Sequence, residues 1–226
     1  MSINIQSTWL YIGLVVSTLG LLQGCTQKFN DVSATFQEAY NNYIDVELSP
    51  QEIKDIPYAS AYLTLGDQKQ VFIVLAFAEK NPLTDATQLK WVSADKSMIV
   101  TENGRIVKTI GLLKNNLVGL SGKIPDFDAA HTIQQSFSLT YDWMPDYRYG
   151  FSAKATRTFV QKESVVTPLY TSETDLISES VFFPSLSSTI NNLYWVDNKG
   201  KVKRTIQHIG PNMVPIEFTI LKGYAG

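Results

Sequence analysis

The chain has 226 residues, 44% hydrophobic and 18% charged, which supplies a sizeable core for one domain, or two small ones at most. Its formal net charge of -2 gives no basic field to steer it to nucleic acid. Its one cysteine excludes an intramolecular disulfide even in an oxidising compartment, so packing and hydrogen bonds must hold the fold.

The first element is an apolar run from Leu10 to Leu21 that ends in Leu22-Gln23-Gly24-Cys25. A short apolar stretch closed by a small residue reads as a secretory signal peptide. A membrane span needs roughly 20 apolar residues, and this run is shorter. The segment before it, Met1 to Thr8, departs from the pattern in having no Lys or Arg. A cysteine directly after the small residue makes the signal a bacterial lipobox. Cleavage is expected between Gly24 and Cys25, with lipid, palmitate included, on Cys25. Each buried methylene contributes about 0.8 kcal/mol, so three acyl chains anchor firmly. Thr26 stands where an Asp would retain a lipoprotein at the inner membrane. The expected location is therefore the outer membrane, with the body in the periplasm. Residues 1–24 form the signal and 25–226 one β-rich domain, of which 25–57 are tether and helices and 58–226 the β core.

Phe29, Val32, Phe36, Tyr40 and Tyr43 recur at spacings of three and four, one apolar helix stripe. Ser49-Pro50-Gln51-Glu52 reads as a capping box opening a short helix that Pro57 ends. Strands follow. Ala61 to Leu65 and Val71 to Phe77 flank a Gly66–Lys69 turn, and Leu89 to Val92 precedes Met98 to Thr101. Asn103-Gly104 then joins Met98–Thr101 to Arg105–Lys108, a strong hairpin signal. From Ile133 to Trp143 apolar and polar residues alternate, as in a strand with one wet face, and Phe151 to Val160 can pair back onto it. Leu193–Val196 and Val202–Ile209 form a hairpin with a Lys-rich tip. Val214 to Ile220 is a last strand whose Pro215 suggests an edge or a bulge. The expected fold is all-β and mainly antiparallel: a barrel-like or strongly curved sandwich of roughly ten strands, with one or two short N-terminal helices.

Residues for catalysis are sparse. His131 and His208 lie in no metal-binding spacing, and no GxSxG elbow is present. Neither a metal nor any other cofactor is expected. A glycan-cleaving enzyme would need two carboxylates. The candidate pairs are Asp45 with Glu47, Asp126 with Asp128, and Asp142 with Asp146. Each falls near a turn, where such residues usually cap or close the backbone. Trp91, Trp143 and Trp195 lie in or beside strands; they fill the core, stack on sugar rings or line an acyl-chain site.

The segments Leu48–Ile53, Ile56–Leu63 and Leu65-Gly66 resemble the YjbF/GfcB family of capsule and exopolysaccharide lipoproteins. The likeness continues through Trp91–Asp95, Ile99–Thr109, Tyr194–Asp197 and Pro215–Lys222, and the lipobox is in the expected place. It implies a β-barrel-like periplasmic lipoprotein encoded beside polysaccharide-export genes. The implied partners are the membrane, through the N-terminal lipid, an outer-membrane β-barrel protein, other export proteins and a glycan. No catalytic residue is carried over, so the expectation is a non-enzymatic accessory factor. Its binding face is sought where the likeness is dense, around Pro57, Tyr58, Trp91 and Arg105. Against this, Pro57 and Tyr58 could simply fix the helix-to-strand turn. The rivals are a carrier of an acyl chain in a β cavity and an envelope enzyme with paired carboxylates.

Overall fold

The computed structural model describes residues 45–127 and 134–224. The apolar stripe Phe29–Tyr43, the lipobox and His131 lie outside the described residues. Helix α1 spans Pro50–Asp55. Ser49 Oγ accepts from the Glu52 amide, and the Glu52 carboxylate accepts from the Ser49 amide, so the expected capping box is complete.

The strands are β1 Ser60–Leu65, β2 Val71–Lys80, β3 Thr87–Ser93, β4 Met98–Glu102, β5 Arg105–Ile110 and β6 Asn116–Ser121. They continue as β7 Gln135–Met144, β8 Arg148–Val166, β9 Thr171–Phe183, β10 Ser188–Val196, β11 Val202–His208 and β12 Pro215–Lys222. All twelve form one antiparallel sheet in the order β5-β4-β3-β2-β1-β12-β11-β10-β9-β8-β7-β6. The sheet curls until its two edges meet. There the Leu117 amide donates to Thr109 Oγ1 at 2.9 Å, and Asn116 bridges to Thr109 and Leu112. Side chains rather than a backbone ladder close this seam, giving a nearly closed barrel.

Twelve strands stand where roughly ten were expected, because β6 and β9 escaped the sequence pattern. Pro215 is not at an edge: β12 lies between β1 and β11. Proline is tolerated as the first residue of the strand, and its carbonyl accepts from the Gly66 amide at 2.8 Å. The Asn103-Gly104 turn is as expected, with both residues at positive φ, +49° and +75°.

Alternation along the strands sorts the side chains. Facing inward, Leu63, Ile73, Trp91, Leu117, Tyr141, Trp143, Phe183 and Phe218 share one buried cluster. On the outer wall Tyr62, Phe72 and Leu221 meet Val46, Ile53 and Ile56, so α1 and the strand-like lead into it pack outside β1, β2 and β12. The barrel has two ends. The Asp45 end carries the β1–β2, β3–β4, β5–β6, β7–β8, β9–β10 and β11–β12 turns. The other, the Tyr58 end, carries α1 and the remaining connections.

Candidate functional site

The inward face of β8 reads Ala153, Ala155, Arg157, and that of β9 Ile177, Glu179, Val181, Phe183. The register sets Arg157 opposite Glu179 and Glu179 opposite Asn192, so charged and amide groups form one row inside the barrel. Glu179 is fully buried. Its Oε2 accepts from Arg157 Nε at 3.0 Å, and its Oε1 accepts from Asn192 Nδ2 at 3.0 Å and from the Tyr194 hydroxyl. Arg105, reaching across from the β4–β5 hairpin, pairs with Oε1 as well.

Burial pushes the Glu179 pKa up, but the two guanidiniums outweigh it and hold the carboxyl below the usual range. Burial pulls Arg157 below the ordinary guanidinium value, whereas Glu179 more than offsets burial at Arg105 and raises it. Burial also pushes the Tyr141 hydroxyl, which accepts from Arg105, up to about 12.

The row therefore holds two cations and one anion. Arg157 is sandwiched between rings, its Cζ 3.9 Å from the centroid of Phe127 and 4.9 Å from that of Phe137. Its Nη1 donates to the Pro125 carbonyl at 2.8 Å, fastening the β6–β7 connection over the barrel mouth. Arg157 Nη2 and Arg105 Nε meet no hydrogen-bond acceptor among the described residues; the ring faces supply part of their compensation. Gln207 adds two ties across the barrel, accepting from the Ile106 amide at 3.0 Å and donating to the Gly104 carbonyl at 2.9 Å. Both Glu179 oxygens are occupied and shielded from water, so this network fixes the interior and presents no free acid or base.

The sequence-derived candidates separate. Trp91 and Arg105 are buried inside the barrel and present no surface to a ligand: Trp91 donates to Thr101 Oγ1 at 3.0 Å and packs edge-on against Phe218. Pro57 and Tyr58 are exposed between α1 and β1. Gly24 and Cys25 lie outside the described residues. Of the carboxylates, Asp45 accepts from the Gln70 amide and Asp142 from the Gly150 amide, both at 2.7 Å, so each closes local backbone. Asp126 is exposed, and its partner Asp128 is outside the described residues. Among the described residues no group of three or more His, Cys, Asp or Glu could hold a metal.

Among the described residues, each end of the barrel carries a surface cleft. One, about 510 Å³, lies at the Tyr58 end between the start of β9 and the β10–β11 turn. Its carboxylates are engaged: Asp175 with Lys162, Glu173 with Ser164, and Asp197 with the Lys199 and Lys201 amides. The other, about 430 Å³, opens at the Asp45 end between the β7–β8, β9–β10 and β11–β12 turns. Phe151, Leu186, Ser188 and Asn212 line it together with Arg148, whose Cζ lies 5.8 Å from the Trp143 ring. Sequence reading missed Arg148, Arg157 and Glu179. The last two keep phase with apolar neighbours two residues away, Ala155 for Arg157 and Ile177 and Val181 for Glu179, but that phase alone does not mark a charged residue as buried.

The family described as "Group 4 capsule polysaccharide lipoprotein gfcB, YjbF" matches residues 31–221. The chain belongs to this family. It is 30% identical to the Escherichia coli (strain K12) lipoprotein GfcB over 92% of this chain and 97% of that one. It is 28% identical to the lipoprotein YjbF of the same organism, over 89% of this chain and 93% of that one. The crystal structure of the lipoprotein YmcC from Escherichia coli (K12) matches with a TM-score of 0.72 at 25% identity, covering 90% of this chain and 99% of that chain. The family is thus one of capsule-associated, membrane-anchored envelope lipoproteins, and the barrel-like fold agrees with that of a solved relative.

Proposed function

We propose that this protein is a lipid-anchored accessory factor in surface-polysaccharide secretion, held at the outer membrane through Cys25 and acting by binding rather than catalysis. The observation that carries this reading is the family match across residues 31–221. The filled interior supports it. Trp91, Trp143, Tyr141, Tyr194 and Phe183 occupy the space an acyl-chain carrier would keep empty. The buried carboxylate Glu179 is neutralised by Arg105 and Arg157 rather than poised beside a second acid in a cleft. Its partners are an outer-membrane β-barrel protein, other export proteins or the glycan itself, and exposed Tyr58 lies on a face open to them.

The test is complementation. Deletion of the gene should reduce exported polysaccharide, and the intact chain should restore it. Glu47→Gln, Asp126→Asn and Asp142→Asn should restore it equally at equal protein level, because they keep shape while removing acid-base chemistry. Complete loss of export from one of these changes in a folded protein would overturn the non-enzymatic reading.

A further inference from the structure

We propose that the rim at the Asp45 end rests on the lipid bilayer, with four successive turns seating apolar side chains among the headgroups. The proposal rests on the lipoprotein reading and adds an orientation to it.

Six turns ring this end, and four neighbours in order around the barrel carry exposed apolar residues. Leu113 in the β5–β6 turn is 87% exposed, Tyr147 in the β7–β8 turn 73%, Val214 before β12 53% and Leu186 in the β9–β10 turn 42%. Tyr149, at the base of the β7–β8 turn, is exposed beside Tyr147, the two rings 6.3 Å apart and edge-on. The other two turns are polar and carry both signs, Asp67 with Lys69 and Asp95 with Lys96. The Tyr58 end also exposes apolar residues, Leu83, Tyr58, Tyr224 and Val166, but there the Asn103-Gly104 turn and the charged Asp197–Lys201 turn interrupt them, so they form no run of adjacent turn tips. Apolar side chains at several adjacent tips mark a covered surface rather than scattered exposure.

Two observations indicate a bilayer as the cover. First, the chain joins the barrel at this end. The Val46 amide donates to the Gln70 carbonyl at 3.0 Å, and Asp45 accepts from the Gln70 amide at 2.7 Å. The preceding 44 residues, with Cys25 among them, therefore attach at this rim. Second, the side chains suit an interface. Tyrosine and leucine beside a cation match the headgroup level, where rings and aliphatic chains bury and polar tips stay wet. The cation is Arg148 in the rim cleft: it donates to the Pro145 carbonyl at 3.4 Å and to Asn115 Oδ1 at 3.3 Å, both neutral acceptors at the rim, and no carboxylate among the described residues neutralises the charge it offers a lipid phosphate. With charges of both signs on the rim, apolar seating rather than a long-range field would hold it.

The test exploits the single native cysteine. In the acylated full-length chain, Leu113→Cys, Leu186→Cys or Leu83→Cys supplies the one thiol open to a bimane fluorophore. Each labelled chain is reconstituted in vesicles of phosphatidylethanolamine and phosphatidylglycerol with brominated acyl chains. Quenching at least twofold stronger at positions 113 and 186 than at 83 is expected. Equal quenching at all three, or none, with Cys25 acylated overturns the orientation and leaves the proposed function standing. A reactive thiol on the unsubstituted chain removes the anchor and the proposal together.

Discussion

Arg157 and Glu179 face each other across the β8–β9 ladder inside the barrel, joined Nε to Oε2 at 3.0 Å, both almost wholly buried. Through Arg157 the pair also ties the barrel wall to the start of the β6–β7 connection. The guanidinium that neutralises Glu179 also stacks on Phe127 and holds the Pro125 carbonyl.

Breaking this network from its anionic side should be severe. Glu179→Gln leaves two guanidiniums buried without a counter-charge, and a loss of about 3–5 kcal/mol is expected. Urea unfolding followed by tryptophan fluorescence measures it. A midpoint unchanged from wild type would count against a structural role for the row.

The same row sets the acid and alkaline limits. Glu179 is held below its unfolded value, so its contribution is complete above the unfolded carboxyl pKa and is lost as pH falls through the folded one. Tyr141 is raised to about 12, so its contribution is complete below about 10 and is lost as pH rises towards 12. Thermal melts across pH should show both flanks. Tyr141→Phe should reduce the alkaline one, to which Tyr170 and Tyr194, also raised by burial, contribute, and leave the acid one in place.

Gly104 is doubly constrained. Its φ is +75°, and an added Cβ would lie 2.4 Å from Val202 Cγ2 and 2.8 Å from Val202 Cβ. Gly104→Val should destabilise by about 2–4 kcal/mol, strain and overpacking together. Pairing it with Val202→Ala, which drops both Cγ atoms but keeps the Cβ, should recover part of the packing cost and none of the backbone strain, which a double-mutant cycle reads directly.

Cys25→Ser should abolish acylation and cleavage, because the chain has no other thiol. Metabolic labelling with a palmitate analogue checks this: label on the wild type alone is expected, and label on the variant would refute the assignment.

Local signals in the sequence were legible wherever the chain chemistry is local. Ser49 to Glu52 spells the cap, Asn103-Gly104 the turn, and Leu139, Tyr141 and Trp143 a half-buried strand. The strands that escaped lack that clarity. Within β6, Gly119 breaks the pattern at a register shift, and β9 opens with Thr171 to Asp175, which reads as a wet loop. The interior row was hidden for a different reason. Charged residues on a strand usually face water, and only the β8–β9 register shows that Arg157 and Glu179 compensate each other inside. Trp91 and Arg105 were binding candidates because the family likeness is dense around them, and sequence alone does not say which face of a curled sheet is inner.

The strand order also bears on how the chain folds. Hydrogen-bonded neighbours are consecutive in sequence, apart from β1 with β12. The chain is thus two meanders, β1–β5 and β6–β12, each able to grow hairpin by hairpin at low loop-closure entropy. Joining them requires the single ladder that sets Leu63 opposite Phe218 and Leu65 opposite Ile216. That non-local zipper is the step that should gate the folding rate, and substitutions at its registered positions should slow refolding more than equally destabilising ones within either meander.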